Sequence, residues 1–144
     1  MDTRRVTSEE PTTPDLAGLV RRFDDALNTR DFDALMSFYA ADAVASFGMV
    51  GSCAGQAAIR AFWEEWVGAF AEFENDVEDI RDLGGGLVFI VFTQRGRPPR
   101  SASWVQVRSA TVLTLAHGVI TRQANSVDID EARADAERLA RERG

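Results

Sequence analysis

Lysine is absent from this chain: all 16 basic residues are arginine. Neither a lysine Schiff base nor a phosphate-loop lysine is therefore open to it. Cysteine and histidine occur once each, as Cys53 and His117. A single thiol excludes an intramolecular disulfide and any multi-cysteine zinc site. The one imidazole lies beside Gly118 in a predicted turn, where it faces solvent, which leaves little room for a histidine-based triad or metal centre. No apolar run approaches the roughly 20 residues that span a bilayer, and Met1-Asp2-Thr3-Arg4-Arg5 carries no apolar leader. A cytoplasmic protein without a membrane partner is the expectation. Positive charge is scarce as well. A net charge of −7 repels nucleic acid and anionic lipid, so no nucleic-acid partner is expected. Any chemistry falls to carboxylates, arginine, amides, hydroxyls and Tyr39.

What is present is ample core material: 45% apolar residues in a chain of 144, with nine phenylalanines and three tryptophans. That length predicts one domain burying about 70% of its unfolded surface. Residues 1–12 are polar and aperiodic and read as a tail; residues 13–144 read as the domain. Thr13-Pro14-Asp15 is a helix start, with a hydroxyl cap and proline at the first helical position. Leu16, Leu19, Val20, Phe23 and Leu27 follow as one stripe, and the helix ends near Asn28-Thr29. Asp31 caps a second, shorter helix carrying Leu35, Phe38 and Tyr39 inward. Ala43–Met49 reads as a short strand and Gly51-Ser52-Cys53 as a loop. After Gly55, the residues Ile59, Phe62, Trp63, Trp66, Val67 and Phe70 recur at i, i+3, i+4, i+7, i+8 and i+11, an aromatic-heavy helix stripe.

Beyond Phe73 the period drops to two. Val77–Asp82, Leu87–Gln94, Ser101–Leu115 and Val119–Val127 read as antiparallel strands, with turns at Gly84-Gly85-Gly86 and Ala116-His117-Gly118. The triple glycine is not a phosphate cradle, since no helix follows it, and no cofactor is expected. Arg95-Gly96-Arg97-Pro98-Pro99-Arg100 reads as a basic loop at a hairpin end. Asp130 caps a last helix, Glu131–Arg143, whose apolar stripe of Ala132, Ala136 and Leu139 is thin. The fold class is α+β: a curved antiparallel sheet wrapped by three N-terminal helices, plus a C-terminal surface helix.

The segments Asp31-Phe32-Asp33-Ala34-Leu35 through Val44, Gly55-Gln56-Ala57-Ala58-Ile59 through Trp63, and Val112-Leu113-Thr114-Leu115 through Ile120 resemble the SnoaL-like branch of the nuclear transport factor two-like cone fold. The likeness spans about residues 14 to 135 and implies a conical pocket between helices and concave sheet. This superfamily hosts isomerases, cyclases, hydrolases, dehydratases and non-enzymatic binders, so the resemblance fixes fold and not reaction. The ketosteroid isomerase relatives use an aspartate base and an oxyanion hole of tyrosine with protonated aspartate. Laid over this chain, those positions fall at Phe47, Phe23 and Thr111, and none matches. Neither the aspartate base of SnoaL-like cyclases nor the Asp-Arg-Asp set of limonene epoxide hydrolase relatives has a recognisable counterpart.

Strand parity puts Val105, Val107, Ser109, Thr111, Leu113 and Leu115 on one face of the long strand, and Trp104, Gln106, Arg108 and Ala110 on the other. The first set is the more apolar and is expected to face the pocket. The resemblance adds Gln123, Asn125 and Val127 from the return strand. The expected ligand-binding residues are Phe23, Phe47, Trp63, Trp66, Ser109, Thr111, Gln123 and Asn125, which suit a small, largely uncharged hydrophobic molecule. No catalytic residue emerges, so an isomerase, cyclase or dehydratase remains one expectation. A non-enzymatic accessory or dimerisation module, its pocket filled by Trp63, Trp66 and Phe47, remains the other. Trp104, Gln106 and Arg108 on the outer sheet face are the expected homodimer surface.

Overall fold

The computed structural model describes residues 15–143; the expected tail, and Thr13 and Pro14 of the expected helix start, lie outside them. Helix α1 runs Leu16–Asn28, and Asp15 is its cap: Oδ1 accepts from the Gly18 N–H at 3.2 Å. Its stripe buries Leu19, Val20 and Leu27. Thr29 closes the helix through an Oγ1–H bond to the Asp25 carbonyl, and Arg30 turns the chain at φ +58. Asp31 then caps α2 (Phe32–Met36) as expected.

The second helix ends earlier than expected. Tyr39 is not the tail of a helix but the first residue of strand β1, Tyr39–Ser46. The alanine-rich run 40–45 has helical propensity, and ladder pairing overrides it. Strand β1 pairs in parallel with β6 (Val119–Ser126) through Ala45↔Gln123, and antiparallel with β2 (Ser52–Ala54). A short 3-10 turn, Gly48–Val50, occupies what was expected to be the end of the strand. Helix α3, Gln56–Gly68, buries Ile59, Trp63 and Val67.

Strands β3 (Glu72–Gly84), β4 (Leu87–Arg97), β5 (Val105–Ala116) and β6 form an antiparallel meander, and the six-stranded sheet has the order β2-β1-β6-β5-β4-β3. The class is the expected α+β cone, a curved sheet with helices and a C-terminal helix; the parallel β1–β6 pair is what the sequence reading lacked. Gly86 is required at its turn: at φ +83, an added Cβ would lie 2.2 Å from the Leu115 carbonyl oxygen. Gly96 serves differently, leaving room for the Phe70 ring that crosses it.

Arg95 and Arg97 correct a second expectation. They sit on β4, not in a loop, and pair with Glu74 at 2.8 Å and Glu72 at 2.8 Å across the β3–β4 ladder. Strand β5 begins at Val105, so Ser101–Trp104 precede it. Helix α4 spans Ile129–Arg143 and is capped by Asp128, whose Oδ1 accepts from the Glu131 N–H at 3.0 Å; Asp130 instead pairs with Arg133. The helix lies on the outer face of the sheet, with Ile129, Ala132, Ala136 and Ala140 against Leu87, Phe89, Val91, Ala110 and Val112. Leu139, expected in that stripe, is exposed. Among the described residues no helix is long and apolar enough to cross a membrane.

Candidate functional site

Period two on β5 carries the cone interior: Val107, Ser109, Thr111 and Leu113 point inward, while Ala110 and Val112 lie under α4. Two adjoining hollows result. The inner chamber, of about 40 Å³, lies between α1 and the sheet, walled by Leu19, Phe23, Ile90, Thr111 and Gln123 among others. The outer vestibule, of about 300 Å³, opens between α3 and the Gly48–Val50 turn, with Phe47, Trp66, Phe62 and Ser109 on its walls. Trp63, Phe92, Gln94 and Asn125 border both and form the constriction between them.

Each of the eight expected pocket residues falls on a wall. Phe23, Thr111 and Gln123 belong to the inner chamber, Phe47, Trp66 and Ser109 to the vestibule, and Trp63 and Asn125 to both. No charged side chain lines either hollow. The lid is a run of aromatic contacts: Phe47 stacks on Phe62 at 3.7 Å between centroids, and Trp63 meets Phe47 edge-on at 5.5 Å. The inner chamber is small because side chains of the protein nearly fill it, with Phe23 packed edge-on to Phe38 and Tyr39.

Gln94, Asn75 and Phe92 were missed, and Tyr39, expected inward and open to chemistry, was placed on a helix. Gln94 shares parity with Ile90 and Phe92, but β4 is buried on both faces and its pattern does not say which of them meets the cone. The partners of Tyr39 were not findable either, because its strand was read as helix. The buried Tyr39 hydroxyl accepts from Trp63 Nε1–H at 3.1 Å and donates to Gln123 Oε1 at 2.5 Å. Gln123 Nε2 in turn donates to Asn125 Oδ1 at 3.1 Å. Burial pushes the Tyr39 phenol well above its ordinary range, against the opposing Trp63 bond, so it stays protonated. It is a link in a neutral chain and not a base. Trp66 Nε1–H donates to Gln94 Oε1 at 3.0 Å.

Asp24 on α1 is a half-buried acid that accepts from Asn75 Nδ2 at 2.5 Å but lines neither hollow. Burial raises its pKa, with Asp76 and Asp25 adding repulsion against the Asn75 bond. Asn75 Oδ1 is an enclosed side-chain acceptor left without a protein partner. His117 is exposed at φ +55 in its turn. Among the described residues no His, Cys, Asp and Glu cluster is placed to hold a metal ion. The arrangement can orient and hydrogen-bond a neutral molecule; it has no group poised to shuttle a proton at neutral pH.

The SnoaL-like domain family model matches residues 20–123, and the chain belongs to that family. Solved structures share the fold. A protein of ketosteroid isomerase-like fold from Catenulispora acidiphila, crystallised with trimethylamine, is 19% identical, with 88% of this chain and 95% of that one covered and a TM-score of 0.70. A candidate SnoaL-like polyketide cyclase from Shewanella denitrificans is 20% identical over 88% of this chain and 98% of that one, TM-score 0.66. TerC, co-crystallised with polyporic acid, is 16% identical over 84% and 97%, TM-score 0.66. No curated protein matches the chain in sequence.

Proposed function

We propose that this SnoaL-like domain is a cytoplasmic protein that takes up a small, largely uncharged hydrophobic molecule through the vestibule. The observation that carries the reading is the lining: an apolar hollow of about 300 Å³ with neutral polar groups and no charge. That volume is at the lower end for ligand pockets, and the residue mix is typical of them. Family membership and the neighbours, a candidate polyketide cyclase and a protein crystallised with polyporic acid, support an enzymatic version of the isomerase, cyclase or dehydratase type. In that version the cone contributes orientation, exclusion of water and neutral hydrogen bonds. The accessory-module reading draws on the inner chamber, which is nearly self-filled at about 40 Å³.

Thermal shift against a library of hydrophobic small molecules separates the two. A ligand that raises the melting temperature of the wild type, with the shift altered in a folded Asn125→Leu variant, supports uptake. No shift for any member removes it.

We also propose that a second copy docks on the half of the outer face that α4 leaves open, around Trp104, Gln106 and Arg108. Arg108 pairs with Glu78 at 2.9 Å there, and Arg95 with Glu74 at 2.8 Å while covering the Trp104 ring. A two-fold axis would set such mixed rows against their opposites. Trp104→Glu is expected to give monomers by light scattering, and a mass equal to wild type overturns the claim.

A further inference from the structure

We infer that the constriction between the two hollows is a donor site, built to receive a hydrogen-bond acceptor oxygen such as a ketone or quinone carbonyl on the ligand. The inference deepens the uptake reading and rests on it. Its basis is the direction of two hydrogen-bond chains. An indole N–H can only donate, so Trp66 fixes the Gln94 amide directly, and the Tyr39 hydroxyl, accepting from Trp63, keeps its hydrogen for a second partner. Trp63 donates to the Tyr39 oxygen. The phenolic hydrogen goes to Gln123, which presents its oxygen. The Gln123 amide nitrogen is left to donate onward to the Asn125 oxygen. The end of the chain is therefore the Asn125 NH₂ group, at the junction of both hollows.

Trp66 repeats the device in one step. Its N–H claims the Gln94 oxygen, which leaves the Gln94 NH₂ as the free end of a side chain bordering both hollows. Gln94 is only 8% exposed, and its amide nitrogen makes no hydrogen bond within the protein among those described. Among the described residues the enclosed side-chain polar atom without a partner is Asn75 Oδ1, so the Gln94 nitrogen is reachable and can meet an acceptor oxygen without breaking a bond within the protein. Two such NH₂ groups discriminate in one direction: they favour acceptors and penalise ligands whose polar end can only donate.

The test uses acetophenone and ethylbenzene, which differ by a carbonyl in place of a methylene, with binding followed by fluorescence of the tryptophans. The ketone-to-hydrocarbon affinity ratio in wild type is expected to exceed that in Asn125→Asp or Gln94→Glu by about tenfold, the scale of one buried hydrogen bond. Trp66→Phe, which frees Gln94 to flip, is expected to lower it severalfold. If the acidic variants fail to fold, the side-chain amide proton resonances of Asn125 and Gln94 in wild type give the answer. They are expected to move downfield with acetophenone and not with ethylbenzene. Equal ratios in all variants, or unmoved amide signals while both probes bind, overturn the donor site and leave the hydrophobic pocket standing. Binding of neither probe overturns this inference for aryl ketones, while the uptake reading stands or falls with the library screen.

Discussion

Strand β4 serves two cores, and they are built differently. Val88, Ile90 and Phe92 face the cone, while Leu87, Phe89 and Val91 face α4. Under α4 the partners are small, Ala132 and Ala136 on the helix and Ala110 on β5, so backbone approaches sheet and the space closes. In the cone the partners are flat rings whose positions are tied by indole, phenol and amide hydrogen bonds. Rings held that way cannot slide to fill the gaps between them, and two hollows remain. One face of the strand is optimised for closure and the other tolerates space. The difference puts a closed seam on the outside of the sheet and hollows bordered by hydrogen-bonding groups on the inside.

Truncation puts the largest strain on this comparison. Phe89, 1% exposed and enclosed, is expected to cost about 3–5 kcal/mol when cut to alanine. Phe92 borders both hollows and already lacks neighbours on one side, so Phe92→Ala is expected to cost clearly less than Phe89→Ala. Urea unfolding of the pair decides it, and the reverse order would break the distinction. Enlargement sharpens it at a smaller scale. Ala136→Leu under α4 is expected to lose about 1–3 kcal/mol by overpacking. Ser109→Val, which adds apolar volume beside the vestibule, is expected to fall within about 1 kcal/mol of wild type, because the added methyl groups have room. A cost at Ser109 equal to that at Ala136 would mean that the vestibule wall is as tightly set as the outer core.

The two regions also differ in how far the sequence disclosed them. Alternation on β5 and the helical stripe of α3 put Trp63, Trp66, Ser109 and Thr111 on cavity walls, because burial on one face forces a period that can be read directly. β4 carries no such alternation at Leu87–Phe92: both faces are buried, so the run is apolar throughout. The second core was hidden for that reason. α4 looked like a surface helix because an alanine seam has little hydrophobic contrast, although alanine is what lets it lie close. Tyr39 was expected inward but on a helix, because local propensity and tertiary pairing disagree there, and the hydrogen-bond chain that orients Asn125 was lost with its strand. Hydrogen-bond direction links residues far apart in the chain, Tyr39 to Gln123 and Trp66 to Gln94, and no local pattern carries it.

The smallest effect is expected where the cone meets the edge of the sheet. Asp24 and Asn28 on α1 clasp Asn75 on β3: Asn28 Nδ2 donates to the Asn75 carbonyl at 3.0 Å, the Asn75 N–H donates to Asn28 Oδ1 at 2.6 Å, and Asn75 Nδ2 reaches Asp24. Burial and the neighbouring Asp76 and Asp25 hold the folded-state pKa of Asp24 above its unfolded value. Folding therefore favours the protonated acid. That contribution is complete below the ordinary aspartate pKa of about 3.9 and is lost as pH rises through the raised folded value. At neutral pH the ionised carboxylate is a net cost, reduced by the solvent that half-reaches it. Asparagine at this position keeps an oxygen for Asn75 and carries no charge. Asp24→Asn is expected to gain a few tenths of a kcal/mol, roughly, at pH 7, with the gain shrinking toward zero as acid protonates the wild type. A variant less stable than wild type at neutral pH would show that the charged bond to Asn75 outweighs desolvation, and that the clasp is held by its charge.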